Sequence, residues 1–198
     1  MPTQLKSIPV PEAPKVAPAP ETLVPDVPFY SQFKDITSPK WQKVGCGIAS
    51  LAMIIDFYSN DPVSVDALLK KGIASNAYDQ NAGWKYKGLI DLSKQYGLNG
   101  TYFDWRKLDT QTAFEKLKPL LKDGPVMISV HYKFDPKSTI PHLVVINGIE
   151  GDTVYYNDPA EKSGEKEIST AKLLSAWKKK VVIIRPVEKT SGKVALDY

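Results

Sequence analysis

From Gly47 to Ser59 the chain reads GIASLAMIIDFYS, with apolar residues on nearly every side of a helical wheel. An all-round apolar pattern belongs to a helix buried in a core, not to one lying on a surface. Four further segments carry helical periodicity and its punctuation. SVDALLKKG has Ser64 as cap and Gly72 as stop, and GLIDLSKQYG ends at Gly97. DTQTAFEKLKPLLKDG starts at an Asp109 or Thr110 cap, with Pro119 expected to kink or break it, and a short last helix covers STAKLLSAWKKK. After Gly124-Pro125 the period changes to alternation. PVMISVHY, HLVVINGIE, DTVYYND and KVVIIRPV are rich in β-branched and aromatic residues and predict four strands. Helices first and strands afterwards, with a hairpin between Ile149 and Thr153, predict an α+β fold with a mostly antiparallel sheet packed on helices.

Composition sets the limits of that unit. At 198 residues the chain suits one sizeable core. Eight of its 16 prolines fall in residues 1–28, too closely spaced for helix or central strand. Residues 1–25 therefore read as a proline-rich linker or stalk, 26–188 as the folded domain and 189–198 as a flexible tail. No apolar run approaches the roughly 20 residues that span a bilayer, and MPTQLKSIPV lacks the apolar core of a signal peptide. The net charge of +4 comes from scattered lysines. Lys178 to Lys180 is the one tight basic run and reads as a solvated helix end, so no nucleic-acid partner is expected. A single cysteine excludes an internal disulfide and every Cys-rich zinc pattern.

That cysteine, Cys46, stands between Gly45 and Gly47 just ahead of the apolar helix. There its sulfur meets the unpaired N–H groups and positive end of the helix dipole, which lower a thiol's pKa. The flanking glycines remove side chains and would let a substrate backbone come close, so Gly45 and Gly47 are expected to border bound substrate. A thiolate nucleophile needs a base, and the base needs an orienting group. Of the two histidines, His131 reads as a strand residue with a structural or solvent role, whereas His142 opens a strand, where a ring can sit at a cleft. A three-residue loop over Glu150, Gly151 and Asp152 would pair positions that sum to 302. Val144 then faces Asp158, and His142 is the diagonal neighbour of Asp158 on the same face, close enough for a hydrogen bond; a two-residue loop would separate them. A side-chain amide is the usual second oxyanion donor beside the Cys46 N–H. Both Gln32 and Gln42 could reach, and Gln32, in an extended segment, is preferred. The loop SNAYDQNAGWKYKG could place Trp84 or Tyr86 in a cleft wall or in the core.

Taken together, VPFYSQF, GCGIASLAMIIDFY, GPVMISV and HLVVINGIEGDTVYYNDPA, covering most of residues 27–160, resemble the C39-like peptidases, a branch of the papain-like cysteine proteases. The resemblance implies a papain-like fold and a Cys–His–Asp triad carried by Cys46, His142 and Asp158, with Gln32 matching the oxyanion glutamine. It also implies a peptide or protein substrate and work outside the cytoplasm or at the cell surface. Two departures stand out. Gly45 occupies the place of the aspartate usual in transporter-fused members, and Gln32 lies farther from the cysteine than their glutamine. The chain therefore looks like the stand-alone branch, without the double-glycine leader specificity. Catalysis by Cys46 needs no metal or cofactor, and two histidines with one cysteine form no ligand cluster. A non-catalytic binding module on a stalk, or a transpeptidase that passes the acyl group to an amine, would use the same fold.

Overall fold

The helix expected at GIASLAMIIDFYS forms and organises the rest. In the computed structural model, which describes residues 24–59 and 62–187, it is α2 (Cys46–Tyr58), preceded by a single turn, α1 (Pro39–Gln42). There follow α3 (Val65–Ala74), a small hairpin of β1 (Tyr78–Asp79) and β2 (Gly83–Trp84), α4 (Tyr86–Ser93), β3 (Leu98–Asp104) and α5 (Thr110–Lys122). Then come β4 (Val126–His131), β5 (Pro141–Glu150), β6 (Thr153–Asn157), β7 (Lys166–Ser169), α6 (Thr170–Ala176) and β8 (Trp177–Pro186). The tail 189–198 and all of the proline-rich segment except Val24 and Pro25 lie outside the described residues.

The main sheet has the order β3-β8-β4-β5-β6-β7, and every pair is antiparallel. Alternation sorts its side chains into two cores. Met127, Leu143, Val145 and Val182 pack with α2, α3 and α4, while Ile128, Val144, Ile146 and Val181 pack with α5 and α6. Every α2 residue from Gly47 to Ile55 is buried, as its all-round apolar pattern requires. Helices packed on an antiparallel sheet make the α+β architecture that the residue pattern predicts.

Several expectations are corrected. Gly72 does not stop α3, which runs on to Ala74; its missing side chain instead admits the Trp84 ring, 2.9 Å from where a Cβ would stand. Pro119 does not break α5, whose Ala113, Phe114 and Leu117 are anchored in the core. The Arg185 guanidinium holds its last turn by donating to the carbonyls of Leu120 and Gly124 at 3.0 Å each and of Pro125 at 2.7 Å. Lys178–Lys180 are not a helix end. They belong to β8, with Lys179 in the left-handed region (φ 54°) at an irregularity opposite Ser129 and Val130. Its ammonium donates to the Leu108 carbonyl at 2.6 Å, and Trp105 N–H donates to the Lys179 carbonyl at 2.8 Å. β3 and β7 were not expected, and β3 puts a strand before α5.

The hairpin also differs from the expected one. Glu150 pairs with Thr153, so the loop has two residues, Gly151 (φ 56°) and Asp152. A bulge at Asn147 then shifts the register, and Ile146 pairs with Tyr156 and Val145 with Asn157. Those last pairs sum to 302. The extra residue expected in the loop thus sits inside β5, and the far ends of β5 and β6 meet as they would after a three-residue turn.

Candidate active site

Cys46 is the first residue of α2, where backbone N–H groups have no intrahelical acceptor. Gly45 and Gly47 are glycines for a packing reason. A Cβ on Gly45 would lie 2.3 Å from Ile36 Cδ1, and one on Gly47 would lie 2.7 Å from the Trp84 ring. The protein itself fills the space that the sequence reading gave to substrate, and neither glycine lines the adjoining cavity. The close approach seats the start of α2 against β2 and the 32–36 segment. Ser50, one turn along, donates its hydroxyl hydrogen to the Leu143 carbonyl at 3.2 Å and ties α2 to β5.

On β5, His142 is buried and donates from Nε2 to Asp158 Oδ1 at 2.5 Å. With Nε2 so committed, Nδ1 is the ring nitrogen left for Cys46, which lines the same cavity. Asp158, just past β6, also accepts from Ala160 N–H at 2.8 Å. Tyr132 stands edge-on to the imidazole, with centroids 5.3 Å apart. Burial pushes the Cys46 thiol up, but the hydrogen bond and charge of His142, with N–H groups of Leu143 and Gly47, outweigh it and bring the thiol below its ordinary value. Burial likewise pushes His142 down, and Asp158 and Cys46 overcome that and raise it to about 10. Both shifts favour a thiolate beside an imidazolium.

Gln32 is buried at the same place. Its backbone N–H donates to the Pro159 carbonyl at 2.8 Å, and Ser31 Oγ donates to the Glu161 carbonyl at 3.0 Å, so this segment is clamped to the turn that carries Asp158. Gln32 Nε2 donates to the Gln42 carbonyl at 2.7 Å, and its Oε1 has no partner. The Gln42 amide is committed to the carbonyls of Ile36 and Phe33, at 2.8 and 3.2 Å. Of the two glutamines, Gln32 lines the cavity.

Over residues 24–181 the sequence matches the model of the Peptidase_C39 like family. The chain belongs to this C39-like peptidase family. No individually curated protein matches it by sequence. Among solved structures, it is similar to a double glycine motif protease from an AMS/PCAT transporter, in complex with the leader peptide. The two are 23% identical over 82% of this chain and 93% of that one, with a TM-score of 0.55. It is also similar to a C39-like peptidase from Bacillus anthracis, 19% identical over 83% and 98% of the two chains, with a TM-score of 0.58. The peptidase domain of Streptococcus ComA, a bifunctional ABC transporter, is 19% identical over 73% and 93%, with a TM-score of 0.55. At these identities the likeness is one of fold.

In this C39-like chain, Cys46 and His142 line a cavity of about 510 Å³ together with Gln32, Trp84 and Tyr86. Trp84 is both wall and core: its ring packs on Gly47, and its Nε1 donates to the Val44 carbonyl at 2.7 Å. His131 is not part of the site; its Nδ1 hydrogen-bonds the Ser138 carbonyl at 2.6 Å. Sequence reasoning missed Ser129, which lines the cavity with Tyr86, although it is the one polar residue in the buried run of β4. It also missed Asn157, fully buried beside Asp158, which donates to the Val27 carbonyl and accepts from Glu165 N–H at 2.8 Å each. Among the described residues no three His, Cys, Asp or Glu side chains gather as metal ligands, and no helix is long and apolar enough to cross a membrane.

Proposed function

We propose that this chain is a cysteine peptidase whose nucleophile is Cys46. The observation that carries the reading is His142, buried, hydrogen-bonded to Asp158, and lining the same cavity as Cys46. In the acylation step the thiolate attacks the scissile carbonyl carbon and a C–S bond forms. The negative oxygen is met by the Cys46 N–H and the second hydrogen of Gln32 Nε2. The C–N bond then breaks as imidazolium His142 gives its proton to the leaving amine. Water attacks the thioester with His142 taking its proton, the acid leaves, and Cys46 is thiolate again. Asp158 keeps the ring oriented and favours its charged form throughout.

A peptide substrate fits the family to which the chain belongs, and the double glycine motif protease of similar fold binds a leader peptide. The reading is tested by digesting a proteome-derived peptide library and reading new termini by mass spectrometry. Wild type is expected to generate termini that Cys46→Ala does not. Equal termini from both proteins, or none from wild type, would overturn it.

A further inference from the structure

We propose that the cavity beside Cys46 is a subsite for a bulky apolar side chain of the substrate, aromatic or branched aliphatic, and that Lys43 at its rim pairs with an acidic neighbour. This rests on the reading of Cys46 as nucleophile. A cavity of about 510 Å³ falls within the range of sites that enclose a ligand group, which are walled mostly by apolar and aromatic side chains. This one is lined by Tyr78, Trp84, Tyr86, Tyr132 and Leu143. Two exposed large apolar side chains stand at its mouth: Phe33, 46% exposed, from the 31–35 turn, and Ile140, 57% exposed, from the approach to β5. Apolar side chains left in water around the cavity of a reactive thiol gain by being covered when substrate binds.

Charge restricts the class further. The other polar lining groups include Gln32, Gln80, Asn81 and Ser129, all neutral. Among the described residues no carboxylate lines the cavity, Lys43 and His142 are the cations there, and Lys43 has no ion-pair partner. A basic substrate side chain would meet no counter-charge, and an acidic one meets Lys43. A substrate with only glycine at this position would leave the aromatic walls unfilled.

The test uses matched peptidyl chloromethyl ketones, which alkylate the thiolate: the sulfur attacks the chloromethyl carbon, a C–S bond forms and chloride leaves. They carry Phe, Leu or Gly at the residue next to the electrophile in one series and at the preceding residue in a second, each with a flanking Asp or Lys. Iodoacetamide, which needs no recognition, is the reference for the thiol itself. In one series, Phe and Leu probes are expected to label Cys46 at least about tenfold faster than Gly, the lower end for filling an apolar pocket. Asp-flanked probes should exceed Lys-flanked ones by roughly two- to fivefold, as for an exposed ion pair. Lys43→Glu should reverse that charge order, and Ile140→Ser should narrow the Phe-to-Gly ratio. Rapid iodoacetamide labelling with Gly as fast as Phe in both series would overturn the subsite and leave the nucleophile standing. Slow iodoacetamide labelling at neutral pH would remove the nucleophile and the subsite together.

Discussion

His142 has two partners that act on it in the same direction. Asp158 and Cys46 each stabilise its charged form, and their sum outweighs the burial that opposes it. Asp158→Asn keeps an acceptor near Nε2 but removes the charge. The ring should then lose its proton at lower pH, and the basic limb of the kcat/KM profile should move down from near pH 10 by about one unit or more. An unmoved limb would mean that Asp158 acts on orientation alone. The residue scale was the most legible in sequence for Cys46, His142 and Asp158, which the fold brings to one place, because a lone thiol, one of two imidazoles and a carboxylate at a strand end are scarce residue types at constrained places. It was least legible for Gly45 and Gly47. Glycines that admit a substrate and glycines that admit a neighbouring tryptophan or isoleucine look alike until the packing is seen.

The elements place these residues through a few side-chain ties. Asn157 joins the Val27 segment to the loop that returns at Glu165, and the loop between carries Asp158. Asn157→Ala should lower stability by about 2 kcal/mol through two lost hydrogen bonds in a buried position. It should also lower kcat/KM by freeing the Asp158 turn. Urea unfolding and kinetics read the two effects, and a variant as stable and active as wild type would contradict the assignment. Helix α2 and the central strands were legible because buried, strictly patterned segments have one arrangement that hides their apolar atoms. β3 was not, since most of its residues are exposed and Asn99 and Gly100 have little strand preference. Pro119, Gly72 and Lys178–Lys180 misled for one reason: tertiary contacts outweighed local preference at each. The two-residue turn combined with the Asn147 bulge brings the His142 and Asp158 ends together by a route that periodicity does not reveal.

At the scale of the whole molecule, one layer supplies the thiol and the other the imidazole of the site. Helix α2 carries Cys46, β5 carries His142, the turn after β6 carries Asp158, and only the folded chain brings them together. Folding therefore changes protonation. His142 is raised to about 10, so the stability it contributes is fully present below its ordinary value near 6.5 and is lost as pH rises toward 10. Cys46 is lowered, so the stability it contributes is present above its ordinary value and is lost as pH falls below it. Urea unfolding across pH, wild type against Cys46→Ala, should show a stabilising difference that shrinks as pH falls; a difference that grows as pH falls would contradict the lowered thiol. The most direct measurement is the rate of Cys46 alkylation by iodoacetamide against pH, in native wild type, urea-unfolded wild type and native His142→Ala. The lone cysteine makes the signal unambiguous. The account predicts a native profile half-risen well below 8.5, with both other profiles moved up to about 8.5 or beyond. A native profile that coincides with the unfolded one would contradict it.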